Sequence, residues 1–253
     1  GAHTCHPGLF NDGIAGIAIL LQLHEYINKK NYLKYSYDFI FGPEYYAGAA
    51  ILSMPKIVEN LKSGIYLDMM GNGKCLGYSK SFNGNTYIDI ATENVMKKTQ
   101  TNFITKDYRK LWGNDEIFYD GPDFRIPTIG LGRDRWEHYH TDKDNLENCD
   151  FDQLFESYKF LTQVVDLMEN DYIPVRKYKG PLYLDRYGIN FDSQGDPEGY
   201  SNIQKIQIMA DGTRSISEIS RALEIDYFFV FDFFEILFEK DLILKEPYYA
   251  FDE

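Results

Sequence analysis

The segment GAHTCHPGLFNDGIAG (1–16) places two histidines, a cysteine and an aspartate ahead of an apolar run, Ile14–Leu23, at helical spacing. Imidazole and carboxylate donors together suit a borderline cation such as zinc. A strand end would fix His3, and a helix N-terminus would orient Asp12 and favour its negative charge. The plain structural account is a polar loop in which Asn11 or Asp12 only caps a helix. Three further stretches carry groups of the same kind. Glu44 follows an aromatic run ending in Gly42-Pro43, Asp68 sits in the apolar GIYLDMM, and His140 lies in WEHYHTDKDN. An acid inside an apolar strand needs a partner, so Asp68 reads as a ligand or as a salt-bridged structural residue. Glu44 reads as a general base or as a first-turn helix acid. His6 can replace a missing ligand or stand outside the site. His24 reads as structural, His138 as solvent-facing, and Cys5 as a small buried residue or a metal-adjacent thiol.

Positioning these groups requires alternating strands and helices. Periodicity predicts helices over 12–29, Glu44 to about Lys62, 86–98 and 151–169, with strands over 34–42, 64–70, 74–80 and 126–130. Strands alternating with long helices make an α/β fold whose central sheet is mostly parallel and flanked by helices. Ligands in such folds sit beyond the carboxyl ends of the strands, where His3, Glu44, Asp68 and His140 all fall.

The 253 residues suit one large domain or a medium domain with a small one, and a net charge of −13 argues against nucleic acid or an anionic membrane as partner. No apolar run approaches the roughly 20 residues of a membrane span, and no signal peptide is visible. Three widely spaced cysteines do not read as a disulfide framework, so a cytoplasmic setting is expected. Gly1-Ala2 leaves almost no strand before His3, so the chain reads as an N-terminally truncated fragment. The expected organisation is a catalytic part over 1–172, a linker over 173–198, and a winged-helix-like module over 199–253. In that module Ser215 and Glu218 match a capping box. It carries five basic residues against eleven acids, which favours protein contact or self-association over DNA binding.

Five short motifs, in order, resemble the co-catalytic zinc aminopeptidase family that also includes the glutaminyl cyclases. They are HTC at His3–Cys5, NDGIAG at Asn11–Gly16, FGPEYY at Phe41–Tyr46, LDMMG at Leu67–Gly71, and YHTDKDNLEN at Tyr139–Asn148. HTCHP with a C-terminal helical module is similar, more narrowly, to a bacterial aminopeptidase-like group sometimes tied to surface polysaccharide synthesis. The resemblance implies His3, Asp12 and Asp68 around one zinc, with Asp12 bridging toward His140 at a second. Glu44 is implied as the general base, and Tyr139 or Tyr45 as donor to the oxyanion. Two departures stand out: Tyr45 replaces the second Glu of the family's pair, and Cys5 replaces an Asp that supports the first His. One zinc or two is therefore left open, with Glu116 or Asp115 as a possible substitute donor. The implied activity is hydrolysis of a peptide or amide bond. The competing readings are an amidohydrolase acting on an N-acylated sugar, and a non-catalytic scaffold.

Overall fold

The computed structural model describes residues 1–134, 137–190 and 194–250. Short apolar segments bounded by glycine, proline and polar turns become the strands of the first unit, Gly1–Glu169. In chain order these are β1 (Ala2–His3), α1 (Ala15–Asn28), β2 (Phe41–Gly42), α2 (Tyr46–Leu52), α3 (Pro55–Val58), β3 (Gly64–Leu67), β4 (Leu76–Ser79), α4 (Tyr87–Thr99), β5 (Phe103–Lys106), α5 (Glu116–Tyr119), β6 (Thr128–Arg133) and α6 (Phe151–Asn170). One sheet runs β2-β1-β3-β6-β4-β5. Every neighbouring pair is parallel except β4 and β6. This is the mostly parallel α/β sheet expected from the sequence. The parallel quartet β2-β1-β3-β6 aims its carboxyl ends at one edge.

Leu67, Ile129 and Leu131 in the central strands, with Ala15, Met70, Leu76 and Tyr78, are fully buried. Burial of each such large apolar side chain contributes about 1.5–3 kcal/mol. Along α6, Phe160, Leu161, Val164, Val165 and Met168 form the buried stripe, while Phe151 and Phe155, which share the apolar face expected over 151–169, are exposed.

Three expected elements differ. The strand expected over 34–42 shrinks to Phe41–Gly42; in place of a ladder, the backbone N–H groups of Lys34 and Tyr35 and the Tyr37 hydroxyl donate to Glu169. The helix expected from Glu44 to Lys62 is two short helices. Met54 leaves helical geometry ahead of Pro55 (φ −111°, ψ 81°), as the residue before proline tends to. The helix expected from residue 12 begins regularly only at Ala15, because Asp12 and Gly13 occupy a kinked wide turn over Phe10–Ile14.

The second unit, Asn170–Glu253, holds β7 (Tyr172–Arg176), α7 (Pro197–Met209), α8 (Ile216–Leu223), α9 (Tyr227–Glu239) and β8 (Ile243–Pro247). β7 lies in the segment expected as a linker and pairs antiparallel with β8. The capping box of α8 forms: Ser215 Oγ accepts from the Glu218 N–H and Glu218 Oε2 from the Ser215 N–H. Helix α7 starts at Pro197, which occupies its first turn, and Asp196 caps the Gly199 N–H. Val230, Phe234 and Leu237 of α9, with Ile216 and Ile219 of α8, are fully buried. The third helix of this unit is thus core rather than a reading surface.

Candidate metal centre

The carboxyl edge of the parallel quartet collects the residues singled out from the sequence. His3 ends β1 and is 0% exposed, while Asp12, in the kinked turn that follows, is 3% exposed. His3 Nε2 lies 3.2 Å from Asp12 Oδ1 and 3.3 Å from Asp68 Oδ1, just past the end of β3. His140 arrives on the loop after β6, with Nε2 2.9 Å from Asp12 Oδ2. Glu44, directly after β2, is tied in through Asn114, whose Nδ2 donates to Glu44 Oε1 (2.6 Å) and to Asp68 Oδ2 (3.3 Å). Glu44 therefore precedes α2 rather than lying within its first turn, contrary to the plain reading of its acid.

Several residues outside the expected set shape this edge. Asp144 accepts the backbone N–H groups of Phe10, Asn11 and Asp12, clamping the kinked turn from the loop that carries His140. Asn11 Oδ1 accepts from the Gly71 and Asn72 N–H groups, tying the same turn to the segment after β3. Asp115 accepts the Tyr45 and Gly48 N–H groups, and burial raises its carboxyl pKa in spite of them. Glu116 pairs with Arg109 at 2.6 Å and accepts the Asn114 N–H. Both acids weighed as substitute donors are thus engaged elsewhere. The signal that could have found Asp144 is the last acid of YHTDKD, four residues after His140. Asn114 and Asp115 had no periodic signal, since their roles arise only when α5 packs beside α2.

Cys5 does not support His3. Its Sγ accepts the Glu44 N–H at 2.8 Å, and His3 Nδ1 is buried without a hydrogen-bond partner among the described residues. Tyr45 is 54% exposed, and its ring lies against Phe118, centroids 5.7 Å apart. Tyr45, Met69 and His140 also share a left-handed backbone, with φ of 63°, 47° and 56°. Such conformations cost about 1–3 kcal/mol for residues other than glycine and concentrate at functional sites. Here they fall on the residue after Glu44, the residue after Asp68, and His140 itself.

The donor set fits a cation better than a proton. A single N–H on His3 Nε2 cannot point at both Asp12 and Asp68. Asp12 Oδ2 is buried and accepts no hydrogen bond among the described residues, although two imidazoles approach it. Among the described residues, the groups whose donor atoms all lie within 4.8 Å of one another are His3, His6 and Asp12, and His3, Cys5 and Glu44. Without a metal, burial opposes the charge of His3, but the Asp12 and Asp68 carboxylates beside Nε2, with Glu44 nearby, raise its pKa to about 10. Burial would raise the Asp12 carboxyl, yet His3, with His6 and His140 behind it, holds it below the ordinary carboxylate value.

Residues 1–171 match the family described as "Domain of unknown function (DUF4910)". The chain belongs to this family. A Clostridium acetobutylicum protein named for polysaccharide biosynthesis and an aminopeptidase-like domain is 30% identical over 172 residues, which is 67% of this chain and 39% of that protein. A crystal structure from the same bacterium, of a protein named as a peptidase, covers 96% of this chain and 56% of its own at 24% identity and a TM-score of 0.80. That likeness shows the fold. A Porphyromonas gingivalis glutaminyl cyclase matches more loosely, with a TM-score of 0.44 and 20% identity over 62% of this chain and 64% of its own. The chain spans about two fifths of the length of the curated relative.

Proposed function

We propose that this chain carries the metal-binding edge of a hydrolase that cleaves a peptide or amide bond. One observation carries the reading. Buried Asp12 meets His3 through one oxygen and His140 through the other, beside Asp68, at the carboxyl edge of parallel strands. His3, Asp12, Asp68 and His140 would hold zinc, which would polarise the scissile carbonyl and lower the pKa of the attacking water. Glu44 takes the proton of that water and passes it to the leaving amine. Asn114 and the Cys5 thiol fix its carboxylate and its backbone N–H. Tyr139, stacked on His140 at 3.8 Å, offers its hydroxyl to the developing oxyanion. Burial, with Asp12, Asp68 and Glu44 nearby, raises the Tyr139 pKa, which keeps that proton on.

The name of the Clostridium relative favours one substrate class beside peptides, an amide on an N-acylated sugar. The second unit is proposed as a winged-helix-like module that contacts protein. Its buried aromatic helix and excess of acids support that role. The three free cysteines fit a reducing compartment.

The test is zinc content per chain together with hydrolysis of a panel of aminoacyl and N-acyl sugar amides. Asp12→Ala is expected to lose the metal. Glu44→Gln is expected to keep it and lose about 10²–10⁴-fold in rate. A wild-type chain that takes up no zinc from excess would end the enzyme reading and leave a scaffold that retains the fold.

A further inference from the structure

The four-residue centre leaves out the second histidine of its own loop. His6 Nδ1 lies 3.5 Å from Asp12 Oδ2, and His3 Nε2 lies 3.2 Å from Asp12 Oδ1. The imidazoles of His3 and His6 stand nearly perpendicular, at 89°, with centroids 5.8 Å apart. Donor atoms of His3, His6 and Asp12 all lie within 4.8 Å of one another, within reach of a single cation. Asp68 approaches His3 and His140 approaches Asp12, but neither joins that group. His6 Nδ1 and Asp12 Oδ2 are buried and make no hydrogen bond among the described residues. A buried carboxylate oxygen left in this state is costly unless a cation meets it.

The three residues lie between positions 3 and 12, and the loop that carries them is fixed from several sides. His3 ends β1. Leu9 N–H donates to His6 O at 2.9 Å, and Pro7 restricts the His6 backbone toward extended geometry. Asp144 clamps the turn that carries Asp12, and Asn11 ties that turn to the segment after β3. Donors preset in this way lose little freedom when an ion binds. The His6 side chain is 32% exposed, against 1% for His3 and 4% for Asp12, so of the three it faces the solvent from which an ion enters.

We propose that His6 is a direct ligand of the ion that His3 and Asp12 hold, so that one loop supplies two imidazoles and a carboxylate to a single cation. Two nitrogens and one oxygen match the three-ligand catalytic zinc sites and leave a fourth place for water. Asp68 and His140 then act through the ligands they face, Asp68 through His3 and His140 through Asp12. The proposal rests on the metal dependence of the proposed function and moves Asp68 and His140 from the ion to its ligands. The other group within reach of one ion, His3 with Cys5 and Glu44, would take the proposed base as a ligand.

The experiment titrates the chelator-stripped full chain with zinc, and with cobalt(II) followed by absorption. The wild type is expected to show one tight equivalent and no thiolate-to-cobalt charge-transfer band. His6→Ala should weaken that equivalent by more than about 100-fold, beyond the roughly 10–100-fold expected for His140→Ala, where only the support of a ligand is lost. His6→Cys should keep the equivalent and add the band. Melting curves of the metal-free variants check folding, and the two His6 variants test the proposal independently. An unaltered equivalent in His6→Ala, or no band in folded His6→Cys, would overturn the proposal and leave the proposed function standing. So would a second equivalent that alone responds to His6→Ala, or a band in the wild type, which would put the ion on Cys5. No equivalent in the wild type would overturn both.

Discussion

At the scale of single residues, the candidate centre is a set of imidazoles and carboxylates whose protons would compete with a metal. His3 has an ordinary value of 6.5, raised to about 10 by Asp12, Asp68 and Glu44 against the opposing effect of burial. A raised folded-state value means that the imidazolium pairing stabilises the metal-free chain fully below about pH 6.5 and is lost as pH rises through about 10. The melting temperature of the stripped chain should therefore fall across that window, and the zinc-loaded chain should not show this component, because the metal replaces the proton. Calorimetric zinc titrations near pH 8 in two buffers of different ionisation enthalpy should reveal proton release on binding. Equal apparent heats in both buffers would show that His3 does not bind the metal as a protonated imidazole giving up its proton. That His3, Asp12, Asp68 and His140 gather at one edge was legible from residue type and from the order of the segments that carry them. The partners of Cys5 and Asn114 were not, because each joins positions about 40 to 70 residues apart through packing that no local pattern encodes.

At the scale of elements, the kinked turn over Phe10–Ile14 is the piece most dependent on tertiary support. It has non-helical geometry at Asp12 and Gly13, and its first three N–H groups converge on Asp144. Asp144→Ala strands buried donors and is expected to cost about 3 kcal/mol of stability, with a roughly 10–100-fold loss of zinc affinity. Asp144→Asn keeps one acceptor oxygen and should lose less of both. Unchanged melting and metal binding in Asp144→Ala would refute the clamp. The strands and long helices were legible because alternation and helical periodicity report burial. The shortened strand at Phe41–Gly42 was not, since Lys34–Ile40 is aromatic yet satisfies part of its backbone through Glu169. The break at Pro55 was in the sequence, but the apolar spacing on either side of it reads as one helix.

At the scale of the whole molecule, a net charge of −13 with a sequence pI near 4.8 sets what the surface attracts. Duplex DNA is repelled by such a surface, and the second unit holds only five basic residues against eleven acids over 199–253. An electrophoretic mobility assay at low salt is expected to show no shift, and a salt-sensitive shift would call for a different role for α8 and α9. The centre also draws its donors from positions 3 to 140, at the carboxyl ends of four strands of the sheet. Its geometry exists only after these distant segments have come together, so zinc, on the proposed function, would bind at the end of folding. Zinc is accordingly expected to slow unfolding in stopped-flow measurements while leaving the refolding rate almost unchanged. An ion that would arrive last would also leave first, so a chain that had lost its metal could remain folded, ready to be reloaded without passing through the unfolded state.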